Sequence, residues 1–212
     1  MRSRSGRARL VRCAIALCAG VLALALPAAA DAGSGGSPWR QLEWDDFRGP
    51  APAGREVAAQ TVSGIDLRWR TRAPVEDGGA WRVRLAVTCR ALMYEEASGV
   101  KPGRQTDALL AHEQRHFDIT EYWARAMRKA LEAVEGSGAT PQRAIDRATV
   151  LAKAKSADVN RRLEHMQERY DRETDHGRDA ERQRRWAAKL DALLEASGAP
   201  VAGAGPAGKA RP

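Results

Sequence analysis

The sequence predicts an α+β fold, in which a small N-terminal antiparallel sheet packs on a helical C-terminal half. Between residues 39 and 104, two segments alternate apolar and polar side chains, which is typical of half-buried strands. From residue 105 to 196, three long segments carry apolar side chains at helical spacing, separated by Gly-containing breaks. We therefore expect a single domain over residues 39–196, with its sheet in 39–104 and its helices in 105–196.

We expect a sheet of three or four strands. Its two clearest strands follow an entry segment that holds Trp44 and Phe47, which we expect to anchor the core. In the first strand, Ile65, Leu67 and Trp69 alternate with charged residues. A Gly-rich turn at 76–79 separates it from the second strand. That strand places four apolar residues on one face: Trp81, Val83, Leu85 and Val87.

The first predicted helix spans 106–135, because no Gly or Pro interrupts that run and Gly136-Ser137-Gly138 ends it. The second begins at Thr140-Pro141, with a capping residue followed by a proline in the first turn. It is predicted to end near residue 169, before a polar break at 170–177. A third helix is predicted over 178–195.

Both ends of the chain have the composition of segments outside the domain. Residues 1–30 combine five arginines, an apolar run at 13–27 and a small-residue cleavage pattern, which predicts a signal peptide cut after Ala30. The apolar run is short for a membrane span of about 20 residues. We expect a secreted or periplasmic protein without stable membrane insertion after cleavage, a flexible leader at 31–38, and a disordered tail at 197–212.

Charge and cysteine content restrict the function further. The chain carries a formal charge of +8, but removing the first thirty residues leaves 30 basic and 27 acidic side chains. The basic character belongs partly to the export signal, so we expect no nucleic-acid binding. Cys89 would be the one cysteine left, which excludes an intramolecular disulfide and indicates a buried thiol.

The sequence H-E-x-x-H occurs in the first predicted helix, at His112, Glu113 and His116. Residues four apart share a helix face, so both imidazoles can bind one Zn²⁺. Glu113 lies about 100° further round the helix, where its carboxylate can take a proton from the attacking water. This pattern predicts a zinc hydrolase site. The alternative is an amphipathic core helix with two solvated or capped histidines, which has the same sequence pattern.

A third ligand is needed, because a catalytic zinc usually has three protein ligands and one open position. On a continuous helix, neither Asp118 nor Glu121 shares the histidine face. We expect His176, in the predicted break at 170–177, to supply it. Three carboxylates of the same segment are alternatives: Asp171, Glu173 and Asp175. Tyr170 is a candidate catalytic donor to the oxyanion, or a packing aromatic.

Three motifs then carry a family resemblance. They are W-x-x-F with A-A-x-T-x-S-G-I at 44–65, L-L-x-H-E-Q-x-H-F-D-I at 109–119, and Y-D-x-x-T-x-H-G at 170–177. In this order they resemble a family of bacterial secreted proteins that are predicted, from the motif, to be zinc-dependent proteases. The resemblance implies a zincin-like domain with His112 and His116 on zinc, Glu113 as base, and residues 170–177 as part of the site.

The function expected from the sequence is that of a secreted zinc metallopeptidase acting on a peptide or protein substrate. The alternative is a non-catalytic periplasmic module in which the metal clamps the first helix to residues 170–177. A closed site with four protein ligands would favour this structural role. The sequence does not give the oligomeric state.

Overall fold

The computed structural model describes residues 37–54 and 57–198. The predicted signal peptide, most of the predicted leader, and the predicted tail from residue 199 onward lie outside these residues. The described elements are, in chain order, β1 (Ser37–Pro38), a 3-10 turn (Trp44–Asp46), β2 (Ala59–Gln60), β3 (Ser63–Thr71), β4 (Val75–Asp77), β5 (Ala80–Met93), β6 (Gly99–Val100), α1 (Asp107–Glu132), β7 (Glu135–Gly138), α2 (Pro141–Thr174) and α3 (Ala180–Ala196).

Strand β5 is the centre of the larger antiparallel sheet. It pairs with β3 along nine residues, from Ser63 opposite Met93 to Thr71 opposite Leu85. β1, β4 and β7 also pair with β5, and β2 and β6 form a separate two-stranded ladder. The predicted α+β architecture is confirmed, since the sheet packs against three helices of the C-terminal half.

Strand β7 occupies a segment that the sequence assigns to the end of the first helix. α1 ends at Glu132, and residues 135–138 pair with β5 at Trp81–Arg84. A Cβ atom on Gly136 would lie 2.2 Å from the carbonyl oxygen of Ala144 on α2. The glycines are therefore needed because β7 lies directly against the backbone of α2, and their role as a simple helix stop is a wrong prediction.

Helix α2 is longer than predicted, because it continues to Thr174. Tyr170 and Thr174 remain on the buried stripe that includes Val159 and Leu163. No Gly or Pro interrupts this last turn, and the predicted break is wrong for residues 170–174, which are helical. The helix ends in a left-handed turn at Asp175, with φ of 49°.

The core has two parts. The larger cluster joins the inward face of β5, including Val83 and Leu85, to α1 and the first half of α2. The smaller cluster, around Tyr170, lies where the three helices meet. Cys89 is a buried free thiol, as predicted, and burial raises its pKa to about 12. Within the described residues, no helix combines the length and apolar character that crossing a bilayer requires.

Candidate metal centre

Helix α1 brings His112 and His116 together at its N-terminal half. The hydroxyl of Thr106 caps the helix by accepting the N–H of Leu109, and the uninterrupted helix then places both imidazoles on one face. Their Nε2 atoms lie 3.2 Å apart and the rings are nearly perpendicular. The sequence spacing therefore produces the predicted convergence of two ring nitrogens.

A carboxylate from α2 completes a group of three. Oδ1 of Asp171 lies 2.9 Å from Nε2 of His116 and 3.2 Å from Nε2 of His112. Two ligand atoms on one tetrahedral Zn²⁺, at 2.0–2.1 Å each, are about 3.3 Å apart. Two imidazoles and a carboxylate are also a donor set that zinc takes in hydrolases. His112, His116 and Asp171 thus form a candidate metal-binding group.

The imidazoles and the carboxylate of this group stabilise each other's charged forms. Burial alone would lower the pKa of His116, but the nearby carboxylates of Asp171 and Glu113 outweigh it and raise the pKa to about 9. Burial would raise the pKa of Asp171, but the two imidazoles hold it well below its usual range. A metal cation can replace the proton of His116 between the same groups.

Two glutamines hold the other nitrogen of each ring. Nδ1 of His116 is 2.6 Å from Oε1 of Gln167, which comes from α2. Nδ1 of His112 is 3.2 Å from Oε1 of Gln183, which comes from α3. Both rings are therefore fixed by residues outside their own helix.

Glu113 is buried beside the histidines and is only 3% exposed. Its Oε2 accepts a hydrogen bond of 2.7 Å from the hydroxyl of Thr61, which lies between β2 and β3. Its negative charge is one of the causes that raise the pKa of His116. Thr61 therefore orients the carboxylate that the sequence predicts to act as base.

Tyr170 is fully buried and its ring stacks on His112, with ring centroids 4.8 Å apart. Its hydroxyl donates to the backbone carbonyl of His112 at 3.3 Å. Burial raises the pKa of this phenol far above its ordinary value. In this arrangement Tyr170 packs against the imidazole of His112, as the packing alternative expects. Its hydroxyl lies inside the protein and not at the surface.

His176, the expected third ligand, lies at the edge of the group. Its Nδ1 is 3.7 Å from Oδ1 of Asp171, and its side chain is 45% exposed. The other two alternatives point to other partners. Glu173 accepts a hydrogen bond from Trp186, and Asp175 pairs with Arg178.

The turn that carries His176 packs closely on the site. Asp175, His176 and Gly177 all have positive φ, of 49°, 53° and 81°. A Cβ atom on Gly177 would lie 2.9 Å from Cγ of His112. The H-G pair of the third motif therefore allows the turn to lie against the His112 ring.

The model of a family described as a bacterial protein of unknown function, DUF922, matches residues 34–177. The chain belongs to the DUF922 family. The match covers about two thirds of the chain and ends at Gly177, so it includes every residue of the candidate metal group. No curated protein and no solved structure matches the sequence.

The sequence indicated four residues of this DUF922 site weakly or not at all. Asp171 was only an alternative, because the helix was expected to end before it. Thr61 belongs to the first motif of the resemblance but had no assigned role, and Gln183 lies after the third motif. Gln167 lies in a polar run of α2 with no signal that separates it from its neighbours.

Proposed function

We propose that this DUF922 protein is a secreted or periplasmic zinc metallopeptidase. The observation that carries the proposal is the convergence of His112, His116 and Asp171 on one point, with the buried carboxylate of Glu113 beside it. His112 and Glu113 are each 3% exposed, whereas the side chains of Asp171 and His176 are 34% and 45% exposed. A substrate would therefore approach from the side of α2 and the turn that follows it.

Each side chain has a role in this proposal. His112, His116 and Asp171 hold the metal through Nε2, Nε2 and Oδ1. When bound, Zn²⁺ supplies Lewis acidity and makes water a nucleophile near neutral pH. Glu113, oriented by Thr61, takes the proton of the attacking water and passes it to the leaving amine. Tyr170 keeps the His112 ring in place by stacking against it.

Metal analysis of the purified protein, combined with hydrolysis of a peptide library, tests this proposal. We expect one zinc per chain in the wild type and loss of zinc in His112→Ala and Asp171→Asn. Glu113→Gln should keep the metal and lose hydrolysis, because only the base is removed. His165→Ala, an exposed histidine on α2, is the matched control and should behave as wild type.

Two results would contradict the proposal. If the wild-type protein bound no zinc when supplied with it, the proposed metal site would be excluded. Undiminished hydrolysis by Glu113→Gln would remove the proposed base. Iron in place of zinc would also overturn it, because two histidines and one carboxylate hold Fe(II) in another class of enzyme.

The position of His176 favours a second candidate function, a structural zinc site. With its Nδ1 at 3.7 Å from Oδ1 of Asp171, a small rotation would bring His176 to the same metal as a fourth ligand. A closed site without an open position would clamp α1 to α2 and catalyse nothing. His176→Ala would then lose zinc as Asp171→Asn does, whereas a peptidase with three ligands would keep it.

A further inference from the structure

Each imidazole of the candidate metal group is bound by one glutamine side chain. Gln167 reaches His116 from α2, and Gln183 reaches His112 from α3. Histidines that bind metals usually donate their second N–H to a carboxylate, a backbone carbonyl or water. Side-chain amides at both rings are a departure from these usual partners.

The remaining hydrogen bonds determine which way each amide faces. Nε2 of Gln167 donates to the carbonyl of His116 at 2.8 Å and to the hydroxyl of Thr120 at 3.2 Å. Nε2 of Gln183 donates to the carbonyl of Ala108 at 3.2 Å. A carbonyl oxygen only accepts hydrogen bonds, so the NH₂ group must face it, and the amide oxygen faces the ring.

An amide oxygen cannot donate, so each ring must carry its hydrogen on Nδ1. When a metal replaces the proton that Nε2 shares with Asp171, a ring that keeps its hydrogen on Nδ1 presents the Nε2 lone pair to that metal. The two Nε2 atoms are the ones that converge with Asp171. The amides therefore select the ring form that can bind a metal at this point.

We propose that Gln167 and Gln183 are positioning residues that fix the Nδ1–H form of His116 and His112 and thereby set the affinity of the metal site. The proposal rests on the metal site of the proposed function. It adds the two residues that prepare the ligands before a metal arrives.

A carboxylate at position 167 could make only one of the two hydrogen bonds of Gln167. This side chain binds His116 twice, as acceptor toward the ring and as donor toward the main-chain carbonyl. A glutamate would place a negative oxygen against that carbonyl. It would also add a third carboxylate to a site that already holds Asp171 and Glu113.

The amide of Gln167 is linked to the sheet through two hydroxyl groups. The hydroxyl of Thr120 on α1 hydrogen-bonds the hydroxyl of Ser63 on β3 at 2.8 Å, and the amide of Gln167 donates to the same hydroxyl. The path from Ser63 to His116 therefore joins β3, α1 and α2. Gln183 adds α3, so the histidine orientation depends on four packed elements.

Zinc affinity, measured by competition with a chelator, tests the proposal. Gln167→Leu keeps the size and removes both hydrogen-bonding functions, and it should bind zinc about 10–100-fold more weakly. Gln183→Leu should weaken binding less, because its bond to His112 is longer. Gln142→Leu, on the exposed first turn of α2, is the matched control and should leave affinity unchanged.

Gln167→Glu separates positioning from general structural support. It keeps an acceptor for the ring but loses the donor to the His116 carbonyl. We expect it to melt at a lower temperature than wild type while its zinc affinity stays well above that of Gln167→Leu. A purely structural role predicts that affinity and melting temperature fall together in both variants.

Nitrogen-15 NMR of the histidines in metal-free wild-type protein, at a pH above the raised pKa of His116, reads the ring form directly. We expect Nδ1–H in both rings. Nε2–H rings, or wild-type zinc affinity in both leucine variants, would overturn the positioning role. A wild type that shows Nδ1–H rings but binds no zinc would instead overturn the proposed function, leaving the fixed ring form established.

Discussion

Gly177 lies against the ring of His112 in a backbone conformation that favours glycine. Its φ is 81°, and an added Cβ would lie 2.9 Å from Cγ of His112. The residue therefore combines two restrictions, one on its own backbone and one on a neighbouring ring.

Gly177→Ala should destabilise the protein by about 2–3 kcal/mol, since it adds left-handed strain of about 1–2 kcal/mol to a steric contact. It should also weaken zinc binding, because the contact displaces the His112 ring. Urea unfolding and chelator competition measure the two effects.

Gly103→Ala is the matched control, since Gly103 has a φ of 71° and no heavy atom within 4 Å of its added Cβ. It should cost only about 1–2 kcal/mol and leave zinc affinity unchanged. Equal effects of the two substitutions on zinc affinity would argue against the contact with His112.

The pair of His116 and Asp171 predicts how the metal-free protein responds to alkaline pH. The pKa of His116 is raised from 6.5 to about 9 in the folded state, so its stabilising contribution is fully present below about pH 6.5. It is lost as the pH rises through about 9. The free energy of unfolding of the metal-free protein should therefore fall between about pH 7 and 10.

Urea titrations at several pH values measure this fall. Asp171→Asn removes the charge that favours protonated His116, and its unfolding free energy should vary less over the same range. If the variant lost as much stability as the wild type on going to high pH, another group would be responsible.

At the scale of elements, β7 shows why a strand can interrupt a helical region. Gly136 brings this strand against α2, with its missing Cβ at 2.2 Å from the carbonyl oxygen of Ala144 and 2.5 Å from the backbone nitrogen of Ala148. Backbone atoms of a helix cannot move aside as a flexible side chain can. The contact therefore couples the position of α2 to strand β5, with which β7 pairs.

Gly136→Ala should lower the free energy of unfolding by about 3 kcal/mol, at the upper end of the usual cost of overpacking. Gly78→Ala is a control in an open turn, where φ is 60° and an added Cβ meets nothing within 4 Å, so it should cost only left-handed strain of about 1–2 kcal/mol. Chemical denaturation compares the two variants. A smaller loss at Gly136 than at Gly78 would contradict the close approach of β7 and α2.

The two ends of α2 differ in how well the local sequence predicts them. The start of α2 at Thr140-Pro141 could be predicted from the sequence, because a capping hydroxyl and a proline each favour a first helical turn. The end of α2 could not be predicted in this way, because residues 170–174 are mostly polar although Tyr170 and Thr174 are completely buried. Asp171 therefore reaches the histidines from a helix and not from a loop.

At the scale of the whole molecule, the candidate metal group joins α1 to α2 across the chain. A ligand that binds only the folded protein stabilises it by mass action, by about 2.7 kcal/mol at a free concentration of 100 times its Kd. Zinc at that level should raise the melting temperature by about 5–10 °C for a domain of this size. Adding a chelator should reverse the change.

Differential scanning calorimetry with and without zinc measures this shift. His165→Ala should show the full shift, because His165 is exposed on α2 and outside the metal group. Asp171→Asn should show little of it. An unchanged melting temperature in zinc-loaded wild type would argue against a metal that links the two helices.

The sequence by itself determined the alternating strands, the long first helix and the pairing of His112 with His116. These depend on the fixed periods of helix and strand, which operate between residues close in the chain. Only the tertiary structure decided that Asp171 meets this pair, that Gln167 and Gln183 hold its outer nitrogens, and that residues 135–138 join the sheet. Those contacts join residues about 50 to 70 positions apart, and no local periodicity specifies which of many polar side chains will pack together.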